Sequence, residues 1–399
     1  MAGNEFSQIE TDRTERMEGT VKSMKRTEIL KRLLVANLAV VFLMSVAASP
    51  IANASRDHKS FAQLSARLSE PGGYFDSDNL ISNETSYLHV ITKLREIGVS
   101  GGVYIGVGPD QSFSYISKIR PRLAIMIDIR RDNLLQHLLF KALFAHSRNR
   151  IEYLCTFFGK PFPKTRGWEN RGVKELVEYI DSTASDPKFS DKILKEVRQD
   201  VQKYGIPLSQ SDLETIGKVQ RAFLSAGLDI RYSSYHRPPR SIYPPYRDLL
   251  LETDLSGQQQ NYFNSEEEFQ FLKKLEDQDM IIPVVGDLSG PQAVKAIGGY
   301  IAEIKERVSA FYVSNVEFYL QRQGTFDKFV ENLKSLPIDS RSLIIRSYFN
   351  YYAPAHPQAE PNHFSTQLMQ RIDDLLKQCA SGECDSYNDI VTKNSIPLK

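Results

Sequence analysis

The segment from residue 101 to residue 128 constrains the fold more than any other part of the chain. A short β-type run at residues 103–105 is followed by a turn that contains Gly106 and Gly108, and a helical pattern then covers residues 112–119. Residues 123–127 (LAIMI) are apolar without interruption and end at Asp128. Uninterrupted apolar strands are typical of parallel sheets, in which both faces are buried. The segment therefore predicts a strand–turn–helix–strand unit with an acidic side chain at the end of its second strand.

The same alternation of strand and helix returns in the C-terminal part of the chain. Apolar runs at residues 280–285, 310–313 and 342–346 are separated by helical patterns near residues 290–305 and at residues 324–335. Strands that alternate with helices indicate the α/β class. We therefore predict an α/β fold with a doubly wound, mostly parallel, Rossmann-like sheet.

The same patterns predict how the chain is divided. Residues 56–145 form the first part of the α/β domain, and residues 146–275 form a mostly helical insertion. Residues 276–399 form the second part of the domain together with a polar C-terminal tail. Residues 1–32 are polar and charged, which predicts a disordered N-terminal tail.

An N-terminal hydrophobic segment at residues 33–54 predicts a location. It follows a cluster of basic residues, is almost entirely apolar at residues 33–48, and ends in Ala-Asn-Ala. These are the parts of a secretory signal peptide, whereas a run that is retained would act as a single membrane anchor. Both alternatives place the remaining residues outside the cytoplasm, either secreted or periplasmic or anchored to the membrane by this one segment. A buried segment of the fold is the third alternative.

The balance of charge argues against nucleic acid as a partner. The chain has 50 Lys and Arg residues against 49 Asp and Glu residues, and residues 55–399 have 43 of each. Binding to phosphates needs a local basic excess. The expected partner is therefore a small ligand or an acceptor molecule that the sequence does not identify.

Metal-binding and disulfide patterns are sparse. The seven histidines are scattered, and neither H-x-x-x-H nor C-x-x-C occurs, so the sequence predicts no metal site. Cys379 and Cys384 would form a short-loop disulfide in an exported protein and leave Cys155 free, or they are close in sequence by chance.

The glycine turn has two interpretations, a ligand site and a plain tight turn. Glycines let the backbone and a helix N-terminus approach a ligand. Asp128 follows Gly108 by 20 residues, the distance at which a strand-end carboxylate meets a nucleoside ribose. Asp110 stands in the position of a third glycine, and its carboxylate would repel a pyrophosphate, which disfavours NAD and FAD. A nucleoside without phosphates, or a cationic one, is favoured.

These residues resemble the class I S-adenosylmethionine-dependent methyltransferases. The similarity covers residues 104–128 and, more loosely, residues 280–345. The sequence around the first unit also resembles an uncharacterised bacterial family that is methyltransferase-like. The resemblance implies a methyltransferase-type sheet and S-adenosylmethionine as the cofactor.

The resemblance also assigns roles to individual residues. The glycine turn would lie near the methionine moiety, Asp128 would bind the ribose hydroxyls, and Asp287 would contact the adenine amine. The loop before the first strand would be a lid that contacts the ligand, or it is a capped surface loop. The implied cofactor-binding residues are Glu84, Gly106, Gly108, Asp110, Asp128 and Asp287. The implied catalytic residues are Asn315 and Glu317.

Other polar groups near these motifs have open roles. Arg130 would pair with Asp128 or reach an anionic substrate, and His137 and Lys141 share one helix face. Residues 232–247 interleave tyrosine with arginine, which favours either stacking on a ligand or a rigid surface strap.

A non-catalytic extracytoplasmic protein with the same fold is the alternative function. The methyl donor is made in the cytoplasm, so an exported domain would lack it. Tyr104 also replaces the acid that such enzymes usually have two residues before the first glycine. Both hypotheses stay open at the level of the sequence.

Overall fold

A six-stranded sheet forms the centre of the part of the chain that the computed structural model describes, residues 58–237, 240–350 and 355–399. The strand order is β3-β2-β1-β4-β5-β6, and only the pairing of β6 with β5 is antiparallel. The strands are β1 (Val103–Gly106), β2 (Leu123–Asp128), β3 (Ile281–Val285), β4 (Val308–Ser314), β5 (Leu343–Phe349) and β6 (Ser365–Arg371). This architecture is α/β, with a mostly parallel sheet that is compatible with a Rossmann-like fold.

Helices precede, connect and follow these strands. Up to β3 they are α1 (His58–Leu68), α2 (Ile91–Glu96), α3 (Gln111–Ile119), α4 (Arg131–Ala145), α5 (Arg150–Phe158), α6 (Val173–Ser182), α7 (Pro187–Lys203), α8 (Gln210–Ala226), α9 (Tyr246–Leu251) and α10 (Glu266–Asp277). After β3 they are α11 (Ala293–Glu303), α12 (Val316–Gln323), α13 (Phe326–Lys334), α14 (Ile372–Ala380) and α15 (Tyr387–Thr392). Two single 3₁₀ turns lie at Trp168–Asn170 and Gly227–Asp229.

The first five strands coincide with the apolar runs of the sequence. β2 and β3 are buried along almost their whole length because helices cover both faces of the sheet. β6 was not predicted, because its sequence STQLMQR is largely polar. Its polar side chains are nevertheless buried and hydrogen-bonded, for example Gln367 to the hydroxyl of Tyr115 and Gln370 to Arg346.

The helices between β2 and β3 enclose α4. Twelve of the fifteen residues of α4 are buried, so this helix has no solvent-facing stripe of the kind that a surface helix shows. It contacts β2 and β3 on one side and α7, α8 and α10 elsewhere. The long connection therefore builds a second layer over α4 and holds it against the sheet.

α4 carries a buried cation. The Lys141 ammonium lies 2.8 Å from Oδ1 of Asp279 and 3.6 Å from Oε2 of Glu276, and all three side chains are buried. It also lies over the rings of Phe61 and Tyr204, at 5.3 and 5.4 Å from their centroids. Burial raises the pKa of Glu276 to about 7, against the opposing effect of Lys141. The cluster joins α1, α4 and α10.

The N-terminal predictions fall outside this description. The tail at residues 1–32 and the apolar segment at residues 33–54 are not among the described residues. Within the described ranges, no helix combines the length and the apolar character needed to cross a membrane. Cys379 and Cys384 form a disulfide, and Cys155 is buried with a free thiol.

Replacing Lys141 with methionine should destabilise the protein strongly. The change leaves the buried carboxyl group of Glu276 without its cation and leaves Asp279 only its contact with Nδ1 of His58, at 3.0 Å. Breaking a buried pair in this way costs about 3–5 kcal/mol. Urea denaturation of the purified protein at pH 8 measures the free energy of unfolding. The matched control is Lys174→Met, which removes an exposed pair with Glu178 at 4.0 Å and should cost at most about 1 kcal/mol. Equal losses in the two variants would contradict this account of the α4 cluster.

Candidate functional site

A cleft lies at the carboxyl ends of β1, β2, β3 and β4. The strand order runs outward in opposite directions from β1 and from β4, which makes this boundary the topological switch point where open α/β sheets bind ligands. The space between the lining side chains, including the open mouth, is about 1140 Å³. Loops after all four strands contribute to the lining, together with the segment before α2, part of residues 232–243, and α12.

Gly106, the last residue of β1, and Gly108, in the turn after it, are each required for a different structural reason. Gly108 lines the cleft with a φ of +81°, a backbone conformation that favours glycine. Its carbonyl oxygen accepts hydrogen bonds from Nδ2 of Asn133 (2.9 Å) and from Nε2 of His137 (3.0 Å). Gly106 does not line the cleft; a Cβ there would lie 2.6 Å from Cε1 of Tyr104. Gly108 therefore serves the cleft, and Gly106 makes room for a buried tyrosine ring.

The neutral imidazole of His137 holds the Gly108 turn in place. It is buried on α4, and burial lowers its pKa to about 4. Its Nε2–H therefore donates to the Gly108 carbonyl at neutral pH. The shared helix face predicted for His137 and Lys141 serves internal contacts and does not face solvent.

Asp128 lines the cleft at the end of β2 and is paired with Arg130. Its Oδ1 accepts from the backbone N–H (2.9 Å) and from Nε (3.2 Å) of Arg130, and its Oδ2 accepts from Nη2 (3.1 Å). Nη1 of Arg130 donates to the carbonyls of Ser77 (3.2 Å) and Asp78 (2.9 Å). The pair therefore joins the segment before α2 to the end of β2, and the Arg130 guanidinium group is held by hydrogen bonds within the protein.

Glu84 lies at the floor of the cleft and is almost completely buried, with 1% of its surface exposed. Both carboxylate oxygens lie 2.7 Å from the hydroxyl of Tyr312 in β4, which donates to them. Ser314 donates to Oε1, and Nε2 of Gln111 donates to Oε2 at 3.0 Å. Among the described residues, the side chains that reach this carboxylate are all neutral.

Ser314 and Asn315 bring the end of β4 to the cleft. Ser314 has a φ of +51°, in the left-handed region that a non-glycine residue rarely adopts, and the register of β4 with β5 shifts just before it. Such strained residues are concentrated at functional sites. The conformation directs the Ser314 hydroxyl to Glu84, and Asn315 follows in the lining.

Asp287 lines the cleft after β3. Its Oδ1 accepts from the backbone N–H (2.8 Å) and the hydroxyl (3.0 Å) of Ser289, which shapes the turn. The backbone N–H of Asp287 donates to Glu70, whose carboxylate also accepts from the backbone N–H groups of Gln292 and Ala293 at the start of α11. The turn after β3 is therefore braced from outside the cleft.

Glu317 lies in the core and not in the cleft, although it follows β4 by only three residues. Its carboxylate receives two hydrogen bonds from Arg346, at 2.6 and 3.1 Å, and both side chains are buried. Arg346 also donates to Gln370 and to the carbonyl of Ile390. Glu317 faces the sheet side of α12 and joins α12 to β5, β6 and α15, so the structure does not support its assignment to an acceptor.

Asp110 also lies outside the cleft. Its Oδ2 accepts hydrogen bonds from the hydroxyls of Tyr246 and Tyr262, the latter at 2.9 Å. The carboxyl group is 3% exposed, and burial raises its pKa to about 6, although the two tyrosine hydrogen bonds lower it. Asp110 thus connects the N-terminus of α3 to the long helical connection, and does not reach a ligand in the cleft.

Aromatic side chains form the walls of the cleft. Phe75 and Tyr319 meet edge to face with ring centroids 5.0 Å apart, and Tyr232 and Tyr243 do so at 5.1 Å. Arg237 lies beside them in the lining. The Tyr/Arg segment at residues 232–247 therefore contributes to the cleft with some of its residues, while Tyr246 turns into the core.

Several lining residues were missed by sequence reasoning. Tyr312 stands in an apolar run that predicted only a buried strand, and Gln111 begins a helix without any motif. Formal charge in the lining comes from three carboxylates (Glu84, Asp128, Asp287) and two guanidinium groups (Arg130, Arg237). The cleft therefore has an excess of one negative charge.

A family model described as "Domain of unknown function (DUF7790)" matches residues 80–395, about four fifths of the chain. The chain belongs to this family. The DUF7790 match includes all six strands and most of the cleft lining; Tyr74, Phe75 and Asn79 precede it. Comparison with curated proteins gives no significant match.

Replacing Asp110 of the DUF7790 domain with asparagine should change the pH dependence of stability. The folded pKa of about 6 lies above the ordinary value of 3.8, so the wild-type carboxyl group contributes stability below pH 4 and loses it as the pH rises through 6. The free energy of unfolding of Asp110→Asn, taken relative to that of the wild type, should therefore rise by up to about 3 kcal/mol between pH 4 and pH 7.5. Urea denaturation across this range measures the difference.

The control for this experiment is a carboxyl group whose pKa is shifted in the opposite direction. Hydrogen bonds from Ser386 and Lys393 lower the pKa of Asp389, a half-buried residue. Asp389→Asn should be less stable than the wild type near neutral pH, and this difference should disappear as the pH falls. The wild-type carboxylate stabilises the protein only while it is ionised. If Asp110→Asn differs from wild type equally at pH 4 and pH 7.5, the burial argument for Asp110 fails.

Proposed function

We propose that the cleft binds S-adenosylmethionine and that the protein acts as a methyltransferase-like enzyme on an acceptor still to be identified. One observation carries the proposal. Gly108, Asp128, Asp287 and Asn315 lie at or just after the carboxyl ends of four different strands, and all of them line one cleft at the switch point of the sheet. These are positions that the resemblance to class I methyltransferases assigns to the methyl donor and the acceptor.

Charge supports a cationic ligand over a phosphorylated one. The lining has three carboxylates against two arginines, and Arg130 is already paired with Asp128. The buried carboxylate of Glu84 receives hydrogen bonds from neutral groups. A sulfonium ion would supply the missing positive charge, since coulombic attraction is stronger where water is excluded. A nucleoside phosphate would add negative charge to the same space.

Each residue has a defined part in the proposed complex. The Gly108 turn would let the backbone approach the methionine moiety, Asp128 would accept from the ribose hydroxyls, and Asp287 would accept from the adenine amine. When bound, S-adenosylmethionine would supply a methyl group on a positively charged sulfur, and the sulfur would keep the bonding electrons when that group leaves. This chemistry depends mainly on alignment of the two reactants. Asn315 remains the candidate for orienting the acceptor.

Calorimetric titration of the purified protein with S-adenosylmethionine and S-adenosylhomocysteine tests the proposal. The two ligands share the nucleoside, but only the first carries the sulfonium charge. Asp128→Asn should weaken both about tenfold to a hundredfold, because hydrogen bonds to charged groups are worth about 1.5–3 kcal/mol. Glu84→Gln should weaken S-adenosylmethionine more than S-adenosylhomocysteine.

Asp373→Asn is the matched control for these titrations. Asp373 is on α14, is paired with Lys377 at 3.1 Å and does not line the cleft, so its replacement should leave both affinities unchanged. Melting temperatures measured without ligand separate a loss of binding from a loss of folding. If the wild-type protein gives no binding heat with either ligand, the proposal is wrong.

A non-catalytic extracytoplasmic binding protein is the second candidate. Two observations favour it: Arg130 engages both oxygens of Asp128, where a ribose would need them, and Cys379 and Cys384 form a disulfide. Disulfides persist mainly in oxidising compartments. On this candidate the apolar segment at residues 33–54 exports the domain or anchors it.

Alkaline phosphatase fused after residue 60 distinguishes the compartments, because this enzyme becomes active only when it is exported. The second candidate predicts an active fusion, and an inactive one when residues 33–54 are deleted. Equal activity of the two fusions would contradict export by this segment. Active export combined with no binding of the methyl donor would favour the second candidate over the first.

A further inference from the structure

Three metal-ligating side chains from distant parts of the chain converge outside the cleft lining. His89 precedes α2, Glu252 directly follows α9, and His363 lies just before β6. One ligand atom from each residue can be chosen so that all three lie within 4.8 Å of one another. No sequence spacing announces this set, because its members are more than 100 residues apart.

The hydrogen bonds around the cluster leave the ligand atoms available. Nδ1 of His363 lies 3.1 Å from the carbonyl oxygen of Pro361, so a proton on Nδ1 donates to it and leaves the lone pair of Nε2 free. Histidines that bind metals commonly donate their other N–H to a carbonyl in this way. Oε1 of Glu252 accepts from the backbone N–H of Thr253 at 2.8 Å, and its Oε2 faces His363.

The distance between two of these ligand atoms suits a small tetrahedral ion. Nε2 of His363 and Oε2 of Glu252 are 3.5 Å apart. Two ligands at about 2.1 Å from a tetrahedral Zn²⁺ are about 3.4 Å from each other. A lone pair and a carboxylate at this distance repel each other unless a proton or a cation lies between them.

His89 supplies the third ligand. Its side chain is buried, and its ring meets that of His363 edge to face with centroids 4.5 Å apart. Among the described residues, no hydrogen bond to either of its ring nitrogens is found. A ring nitrogen that makes no hydrogen bond within the protein is available to coordinate a metal ion.

We propose that His89, Glu252 and His363 bind one Zn²⁺ ion. Two histidines and one glutamate are a known ligand set for zinc sites that keep a fourth position open for water or substrate. The nearby charges are Glu360 and Lys399, which pair with each other at 2.5 Å. Their charges compensate each other, so Glu252 supplies the net negative charge that would attract the cation.

The zinc site would brace the wall of the cleft. It joins the turn before α2, the end of α9 and the segment before β6. Phe364, next to His363, packs on Tyr243 of the cleft wall with ring centroids 6.1 Å apart. The site is independent of which ligand the cleft takes, so it does not rest on the proposed function.

Calorimetric titration with ZnCl₂ tests the site in the purified protein after dialysis against a chelator and without reductant, so that Cys379 and Cys384 stay paired. The wild type should bind one ion per chain, and Zn²⁺ should raise its melting temperature. His363→Ala and Glu252→Gln should each weaken binding at least tenfold and abolish the rise in melting temperature.

His146→Ala is the matched control. His146 also contacts two carboxylates, with Nε2 2.7 Å from Asp200 and Nδ1 3.8 Å from Glu196, but no second histidine joins it. The variant should bind Zn²⁺ like the wild type. Circular dichroism of each metal-free variant shows whether it is folded. Wild-type protein that binds no zinc, or folded His363→Ala and Glu252→Gln variants that both bind it as tightly as the wild type, would overturn the proposal.

Discussion

The buried carboxylate of Glu84 is the constraint that organises the cleft. It joins the segment before α2 to the end of β4 through Tyr312 and Ser314, and to the start of α3 through Gln111. Removing a carboxylate from water is costly, and neutral donors compensate only part of that cost. The strained backbone at Ser314 is one of the features that this arrangement requires. A cationic ligand in the cleft would reduce the remaining cost, which is why charge has a central place in the functional proposal.

The sheet and the long helical connection position the cleft residues around this carboxylate in different ways. The strand ends bring Gly108, Asp128 and Asp287 to one place, as the order of the strands dictates. The connection between β2 and β3 encloses α4, and α4 in turn holds the Gly108 turn through His137. The positions of the cleft residues therefore depend on helices that do not contact the cleft. A substitution at Lys141 in the α4 cluster would shift the Gly108 turn as well.

The sequence predicted the sheet better than the site. Five strands are visible as apolar runs, because burial on both faces leaves a signal in each strand separately. β6 leaves none, because its buried glutamines are satisfied by partners such as Tyr115 and Arg346 that are far away in sequence. For the same reason, the sequence predicts Glu317 at the reaction site: its position after β4 is visible in the sequence, but its pairing with Arg346 is not. The cluster of His89 and His363 is invisible to any spacing rule.

The most direct test of the account is a crystal structure of the protein grown with saturating S-adenosylhomocysteine. The account predicts density for one ligand in the cleft, with its ribose at Asp128, its adenine toward Asp287 and its amino-acid part beside the Gly108 turn. Ligand density elsewhere on the protein, or an empty cleft at saturating concentration, would contradict it.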